Sequence, residues 1–531
     1  MTGKCIMACM EWRNMNYTYR QLLDQIEKNQ NARQSLSQIR ALLKEDKSHQ
    51  QFMESLKDRE QLLFDCLHHE DAKTRKNVSL LLGDIAGDIS LNTTDILNAT
   101  TCMERLFEAF EQEQQLFVRS AYLIALKNYD FRPYIDRLKE HLEKLSAMQP
   151  EESDRKHITD EIRAIEDMLM MAEGPKLHRF TGEHVKSNLI LTTNRRHVDD
   201  VVEQIKEIDD INPDKIRTFS AGVMVQTDCI EELLQIRTYD EMLFQVPGMT
   251  VIPMDVKEAA AAIASSKLLA FLEDRHEAQT EDQPFIFRVE LKSRMDLGSK
   301  STVVKKFSYE LERLTNRKLI NHKTGYEFEI RLIETKQETF NCLVRLYTLK
   351  DQRFAYRKES TALSIRPVNA ALLVALAKDY MVADANVLDP FCGVATMLIE
   401  RQKVVKARSS YGIDISEEAI EKAKINTQAA GQIIHYIHRN CLEFTHEYLF
   451  DEIFTDLPFV TNHKTKDEIE EIYAGFFRWA KGVLTGNGRM ILYTHDRDLI
   501  RHYAETEGYK ILAHIPILEK AGTDLYILQV L

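Results

Sequence analysis

From about Pro367 to the C-terminus the chain alternates apolar runs of strand length with helical segments, and this alternation limits its fold more than any other feature. NVLDPFCG leads into one helix, SYGIDIS into a second, DEIFTDLPF into a third and GRMILYTH into a fourth; KILAHIPIL and LYILQVL close the chain. Strands separated by helices do not pair as tight hairpins. They lie parallel in a sheet whose two faces the helices cover. Only a few polar residues separate the last two strands, which permits an antiparallel hairpin at the sheet edge. Residues 360–531, opened by the helix VNAALLVALAKDY, are therefore expected to form a doubly wound α/β domain.

Two regions of different texture precede it. From about Tyr17 to Glu173 the chain reads as nearly all helix, with Leu22, Leu23, Ile26, Leu36, Ile39, Leu42 and Leu43 at helical spacing. Within it, LLFDCLHHEDAKTRKNVSLLLGDIA from Leu62 and RLFEAFEQEQQLFVRSAYLIALKNYD from Arg105 share a layout. Each has an apolar helix, a polar turn and a second helix with Arg75 or Arg119 near its start. The offset of 43–44 residues falls in the range of HEAT and armadillo repeats, so residues 1–175 resemble a short HEAT-like stack. An unspecific helical bundle fits the same pattern. A charged helix from Glu140 to about Met171, in which Met168, Met170 and Met171 read as packing, ends before Gly174-Pro175. Over residues 185–355, NLILTT, AGVMVQT, FIFRVELK, YEFEIRLIET and TFNCLVRLYT read as strands. HVDDVVEQIKEI, CIEELLQIRTYDEMLF and STVVKKFSYELERLTNRK read as helices, which makes this an α+β region of one compound or two small domains.

A chain of 531 residues is long enough for about three domains. Its formal net charge of -13 excludes global attraction to nucleic acid, so any such binding must use a local basic patch. One is present: Gln283–Ile320 carries nine Lys/Arg against four acids. Lys292, Arg294, Lys300, Lys305, Lys306, Arg317 and Lys318 are its candidate phosphate contacts, with an ordinary solvated helix face as the alternative. The eight cysteines form no CxxC pair, and Cys5 and Cys9 have no downstream partner pair, so no metal site is expected. Free thiols, no signal peptide and no membrane-length apolar run point to a cytoplasmic protein without membrane contact.

Three motifs carry the chemistry. In VLDPFCGVATMLIE an apolar strand ends at Asp389, turns through Pro390-Phe391-Cys392-Gly393 and enters a helix near Ala395-Thr396. Glycine at such a bend lets a ligand approach the backbone, and the helix start offers free N–H groups. The second strand, in SSYGIDIS, ends at Asp414, where a carboxylate accepts hydrogen bonds from ribose hydroxyls. The GxGxxG diphosphate fingerprint is absent, so the ligand carries adenosine without a diphosphate; S-adenosylmethionine fits. The third strand ends in Asp456-Leu457-Pro458-Phe459. There a carboxylate and a neighbouring carbonyl accept from a conjugated NH₂, and an aromatic ring stacks on the base that carries it.

In this order the motifs resemble the class I, Rossmann-like methyltransferase domain that follows THUMP domains in RNA methyltransferases. DLPF is similar to the variant in the branch acting on the 2-amino group of guanosine in tRNA. FAYRKESTALSIRPVNAALLVALA from Phe354 resembles that family's lead-in segment, and residues 187–350 resemble its ferredoxin-like plus THUMP pair. The resemblance implies S-adenosyl-L-methionine as cofactor and RNA, foremost tRNA, as partner, with a possible protein partner on the helical region. It implies that Asp389, Pro390, Cys392, Gly393, Ala395, Thr396, Asp414, Ile415, Asn440 and Cys441 bind the cofactor. Asp456, Leu457, Pro458 and Phe459 would form the catalytic motif, and Arg357 and Arg366 would touch RNA.

The sequence departs from the family at three places. Ala395 and Val460 stand where glycine is usual, and Asn440 stands where an acid is usual. Asn440 can still accept from the adenine amine through its carbonyl oxygen. His435, His438 and His463 lack a partner acid and read as ordinary polar positions, with Lys464 and Lys466 as possible RNA contacts. Ribosomal RNA is a second possible substrate. A DNA adenine amine methyltransferase and a non-catalytic RNA-binding scaffold are the alternatives.

Overall fold

A computed structural model describes residues 18–45, 49–87, 96–148, 150–462, 464–518 and 520–531. Cys5, Cys9 and His463 lie outside the described residues. The chain divides into two compact units, Met1–Lys176 and Leu177–Leu531.

The first unit is helical throughout its described part. Glu60–Leu67 pairs with Ala72–Asp84, and Ala99–Gln112 pairs with Leu116–Leu126. Asp71 caps the second of these helices by accepting from the N–H groups of Lys73 and Thr74. The two pairs are built alike. Arg75 donates back to the carbonyl of His69 at 2.8 Å and forward to the Glu113 carboxylate at 2.7 Å. Arg119 donates back to the carbonyl of Glu113 at 2.6 Å and forward to the Glu161 carboxylate at 2.7 Å. Each arginine thus ties its own inter-helix turn to an acid further along the chain.

The second unit begins with a nine-stranded mixed sheet. Its strands run in the order Ile216–Phe219, Gly222–Thr227, Ser187–Thr192, Glu241–Phe244, Thr339–Leu346, Phe328–Glu334, Phe285–Lys292 and Leu319–Asn321, with Val251–Pro253 also on Thr339–Leu346. The α+β region is therefore one compound sheet. CIEELLQIRTYDEMLF, expected to be one helix, is helical only over Ile230–Leu233; its end, Glu241–Phe244, is a strand. That stretch pairs with Ser187–Thr192 and touches Thr339–Leu346, burying Met242, Leu243 and Phe244, so long-range pairing overrides local propensity.

The C-terminal α/β domain positions the candidate site. We label its elements α1 (Pro367–Ala377), β1 (Asn386–Asp389), α2 (Thr396–Val404), β2 (Ser409–Asp414), α3 (Glu417–Ala429), β3 (His435–His438), β4 (Phe450–Asp456), α4 (Lys466–Val483), β5 (Leu484–Thr494), α5 (Arg497–Thr506), β6 (Tyr509–Leu518) and β7 (Thr523–Val530). The sheet order is β3-β2-β1-β4-β5-β7-β6. The first five strands are mutually parallel; β7 runs antiparallel to both β5 and β6, the expected edge hairpin. Apolar residues of α1, α2 and α3 fill one face, and those of α4 and α5 fill the other. Strand order reverses between β1 and β4, and in open α/β sheets ligands bind at the carboxyl ends of strands at such a switch point. Asp389 and Asp456 terminate those two strands.

The fully buried pair Arg401–Glu452, at 2.9 Å, ties α2 to β4. The same guanidinium donates to the carbonyls of Val382 at 2.7 Å and Val405 at 2.6 Å. Arg237 and Glu400, 2.6 Å apart, join the mixed sheet to this domain, as do Asn194 and His197, which reach the carbonyls of Ile517 and Pro516. Among the described residues no helix is long and apolar enough to cross a membrane, and no cluster of metal-ligating side chains occurs.

Candidate functional site

The glycine turn after β1 needs two backbone exceptions. Gly393 has φ +50° and Ala395 has φ +67°. The first suits glycine; the second holds a Cβ in the left-handed region, at a typical cost of about 1–2 kcal/mol. The N–H of Gly393 donates to Asp414 Oδ2 at 2.9 Å, and that of Ser416 donates to Oδ1 at 2.8 Å. Asp414 thus fastens the turn while staying half-exposed, and Ile415 beside it projects into solvent. Gly412 permits the close fit of β2 on the turn: a Cβ there would meet Cys392 Sγ at 2.9 Å and the Tyr436 ring at 3.0 Å.

Asp389 is 1% exposed. Its Oδ1 accepts from the Thr455 hydroxyl at 2.6 Å and from the Phe391 N–H at 3.1 Å, while Oδ2 has no partner. Burial pushes its carboxyl up to about 7. Asp456, at the end of the neighbouring strand, also holds a sheltered oxygen, Oδ1, without a partner. Burial, with Asp389 nearby, pushes its carboxyl up to about 8. Burial also raises the thiols of Cys392 and Cys441, the latter to about 12, so neither is an activated nucleophile.

Leu457 is buried and its N–H is held by the carbonyl of Tyr493 at 2.9 Å; Pro458 and Phe459 are half-buried. The Phe459 ring stacks on His495, with centroids 4.1 Å apart and planes 23° from parallel. Burial lowers the pKa of His495, which favours the neutral imidazole. Sequence reasoning missed His495, which looks like one polar residue at a strand end. It also missed Thr455, the partner of Asp389, and Asn426. Asn426 accepts from the N–H groups of Lys358 and Glu359 at 2.9 Å and donates to the carbonyl of Val394 at 3.1 Å. Thr455 directly precedes the Asp456-Leu457-Pro458-Phe459 motif, whereas His495 and Asn426 sit in none.

Asn440 caps the short turn Cys441–Glu443, its Oδ1 accepting from the Leu442 N–H at 3.1 Å, which leaves one lone pair. Of the expected phosphate contacts, Lys292, Arg294, Lys305, Lys306 and Lys318 are exposed. Lys300 and Arg317 are half-buried, and Arg317 lies 3.6 Å from Glu312. Arg366 is exposed but bonds Asp240 of the mixed sheet. Arg357 departs from its expected place: it is half-buried and turned onto Thr396 and two backbone carbonyls.

Residues 355–513 match the family described as RMKL-like, methyltransferase domain. This part of the chain is a methyltransferase domain. A curated relative, the tRNA (guanine(10)-N2)-dimethyltransferase of Pyrococcus abyssi (strain GE5 / Orsay), is 29% identical over 175 residues, which make up 32% of this chain and 52% of that protein. The chain thus spans about half the length of the curated relative it matches. The crystal structure of TrmN from Thermus thermophilus aligns with TM-score 0.47 and 20% identity, covering 65% of this chain and 99% of that one. A predicted N6-adenine-specific DNA methylase from Listeria monocytogenes str. 4b F2365 aligns with TM-score 0.48 and 17% identity, covering 65% and 96%.

S-adenosylmethionine is the methyl donor expected of a methyltransferase domain, and the residues present fit it. That molecule carries a sulfonium and an ammonium. Asp389 and Asp456 each offer a desolvated, unpartnered carboxylate oxygen, an arrangement that gains from a cationic ligand. Asp414 offers its second lone pairs to ribose hydroxyls at the open end of the turn.

Proposed function

We propose that the chain methylates the exocyclic 2-amino group of a guanosine in tRNA. The observation that carries this is Asp456. Its Oδ1 is sheltered and unpartnered at the switch point, one turn from the half-buried Phe459. An acceptor beside an aromatic plane suits a flat base bearing an NH₂: Phe459 takes the face and Asp456 takes an amine hydrogen. The methyl donor supplies an electrophilic methyl group when bound. Asp456 orients the amine lone pair towards it, and the raised carboxyl, near 8, suits Oδ1 to take the proton the amine sheds. Burial around Leu457 and Tyr493 keeps water from the reacting edge. No cysteine on the turn is activated for a covalent route, which favours direct transfer.

The family match over residues 355–513 and the tRNA guanine specificity named for the Pyrococcus relative support the substrate. Residues 185–355 would form a ferredoxin-like plus THUMP-like RNA-binding region, supported by the exposed Lys292, Arg294, Lys305, Lys306 and Lys318. Residues 1–175 would form a HEAT-like region that docks a partner protein, supported by the matched Arg75 and Arg119 ties.

The test is transfer of labelled methyl from S-adenosylmethionine to separate pools of unmodified tRNA, ribosomal RNA and DNA, followed by digestion to nucleosides. Label in N2-methylguanosine from tRNA, lost in Asp456→Ala, is the expected result. Label in N6-methyl-2′-deoxyadenosine from DNA would overturn the substrate. No label from protein that binds the donor would favour a scaffold.

A further inference from the structure

Arg357 lies in the segment that leads into the methyltransferase domain. Its Nε donates to the carbonyl of Glu359 at 3.0 Å. Nη1 donates to the carbonyl of Ile365 at 3.1 Å and to the hydroxyl of Thr396, the first residue of α2. All three acceptors are neutral. Burial depresses the guanidinium pKa.

Most other buried or half-buried arginines among the described residues are compensated, Arg489, which holds the carbonyl of Tyr380, being an exception. Arg237, Arg331, Arg353 and Arg401 each hold a carboxylate. Arg275 sits over the Phe271 ring, 4.0 Å from its centroid. Among the described residues Arg357 has neither. A half-buried cation without a counter-ion is costly unless an anion joins it. The start of α2 adds the positive end of a helix dipole at the same place.

The position is also braced. Asn426 binds the backbone of Lys358 and Glu359 on one side and the carbonyl of Val394 on the other. One side chain thus fixes the lead-in segment against the turn that holds the donor.

We propose that Arg357 is the counter-ion for the carboxylate of the methyl donor's amino-acid portion, and not an RNA contact. The proposal rests on the assignment of this domain as a binder of S-adenosylmethionine. Arg357 closes the anionic end of the donor, while Asp389 faces its cationic groups.

The test uses the full chain and calorimetry with two ligands: S-adenosylmethionine and its decarboxylated form, which keeps adenosine, sulfonium and amine. A charge-assisted hydrogen bond of this type is worth about 10–100-fold in affinity. The wild type should therefore prefer the intact donor by about that factor. Arg357→Gln should weaken the intact donor about 10–100-fold and leave the decarboxylated form within about twofold. Arg357→Lys, which keeps the charge and guards against a folding defect in the first variant, should retain a preference for the intact donor. Equal binding of the two ligands by the wild type, or equal weakening of both in Arg357→Gln, would overturn the proposal. Failure of the wild type to bind either ligand would overturn the donor assignment itself.

Discussion

Asp389 makes donor binding depend on pH in a way that can be worked out in advance. In the free protein burial holds its carboxyl near 7, against 3.8 for the unburied group. A cationic donor favours the ionised form, so binding draws on the ionised fraction. With a carboxyl at 7, that fraction is about one-eleventh at pH 6 and about three-quarters at pH 7.5. The dissociation constant should therefore tighten about eightfold over that interval. The interval stays below the usual titration of an α-amino group, near 7.7–8.0, so the donor's own amine contributes little. The assay is calorimetry in buffers of differing ionisation enthalpy, which reads proton release directly. About half a proton should leave Asp389 at pH 7. Asp389→Asn should bind more weakly and with a flatter pH profile. A wild-type constant independent of pH, or an identical slope in Asp389→Asn, would refute the reasoning. Because the folded value lies above the unfolded one, ligand-free stability is greatest below about pH 4 as far as this group is concerned. It declines as pH rises through 7, so the donor's stabilising effect grows over that range.

Other residues give sharp expectations. Ala395→Gly relieves a Cβ at φ +67° and should raise stability by up to about 1 kcal/mol, read as a higher denaturant midpoint; a lowered midpoint would contradict the strain. Gly412→Ala drives a Cβ into Cys392 and Tyr436 and should cost about 1–3 kcal/mol together with donor affinity. Glu452→Gln leaves the buried Arg401 charge uncompensated and should cost about 3–5 kcal/mol, whereas replacing both residues with apolar side chains should cost less. Phe459→Ala should lower kcat/KM for the RNA by about 1–3 kcal/mol while donor affinity stays within about twofold.

The elements of the site were legible because each obeys a local rule. Strand–helix alternation required a covered parallel sheet, and Asp389, Asp414 and Asp456 were identifiable as acids ending strands β1, β2 and β4, although the short strand β3 between the last two was not read from the sequence. The short polar link before β7 permitted the edge hairpin. Elsewhere, contacts between residues far apart in the chain decided the outcome. Residues 241–244 became a strand because two distant strands accepted their hydrogen bonds. His495 came under Phe459 because β5 lies next to β4 in the sheet, a neighbour relation invisible to spacing. Arg357 belonged to a basic-looking stretch, and only the docking of that stretch on Asn426 and Thr396 turned it inward. The sequence by itself determined which residues end strands, turn chains and carry charge, since those follow from local stereochemistry and side-chain type. Tertiary structure alone decided which charges lose their water and their partners. Desolvation depends on the side chains packed around a group, and those come from every part of the chain.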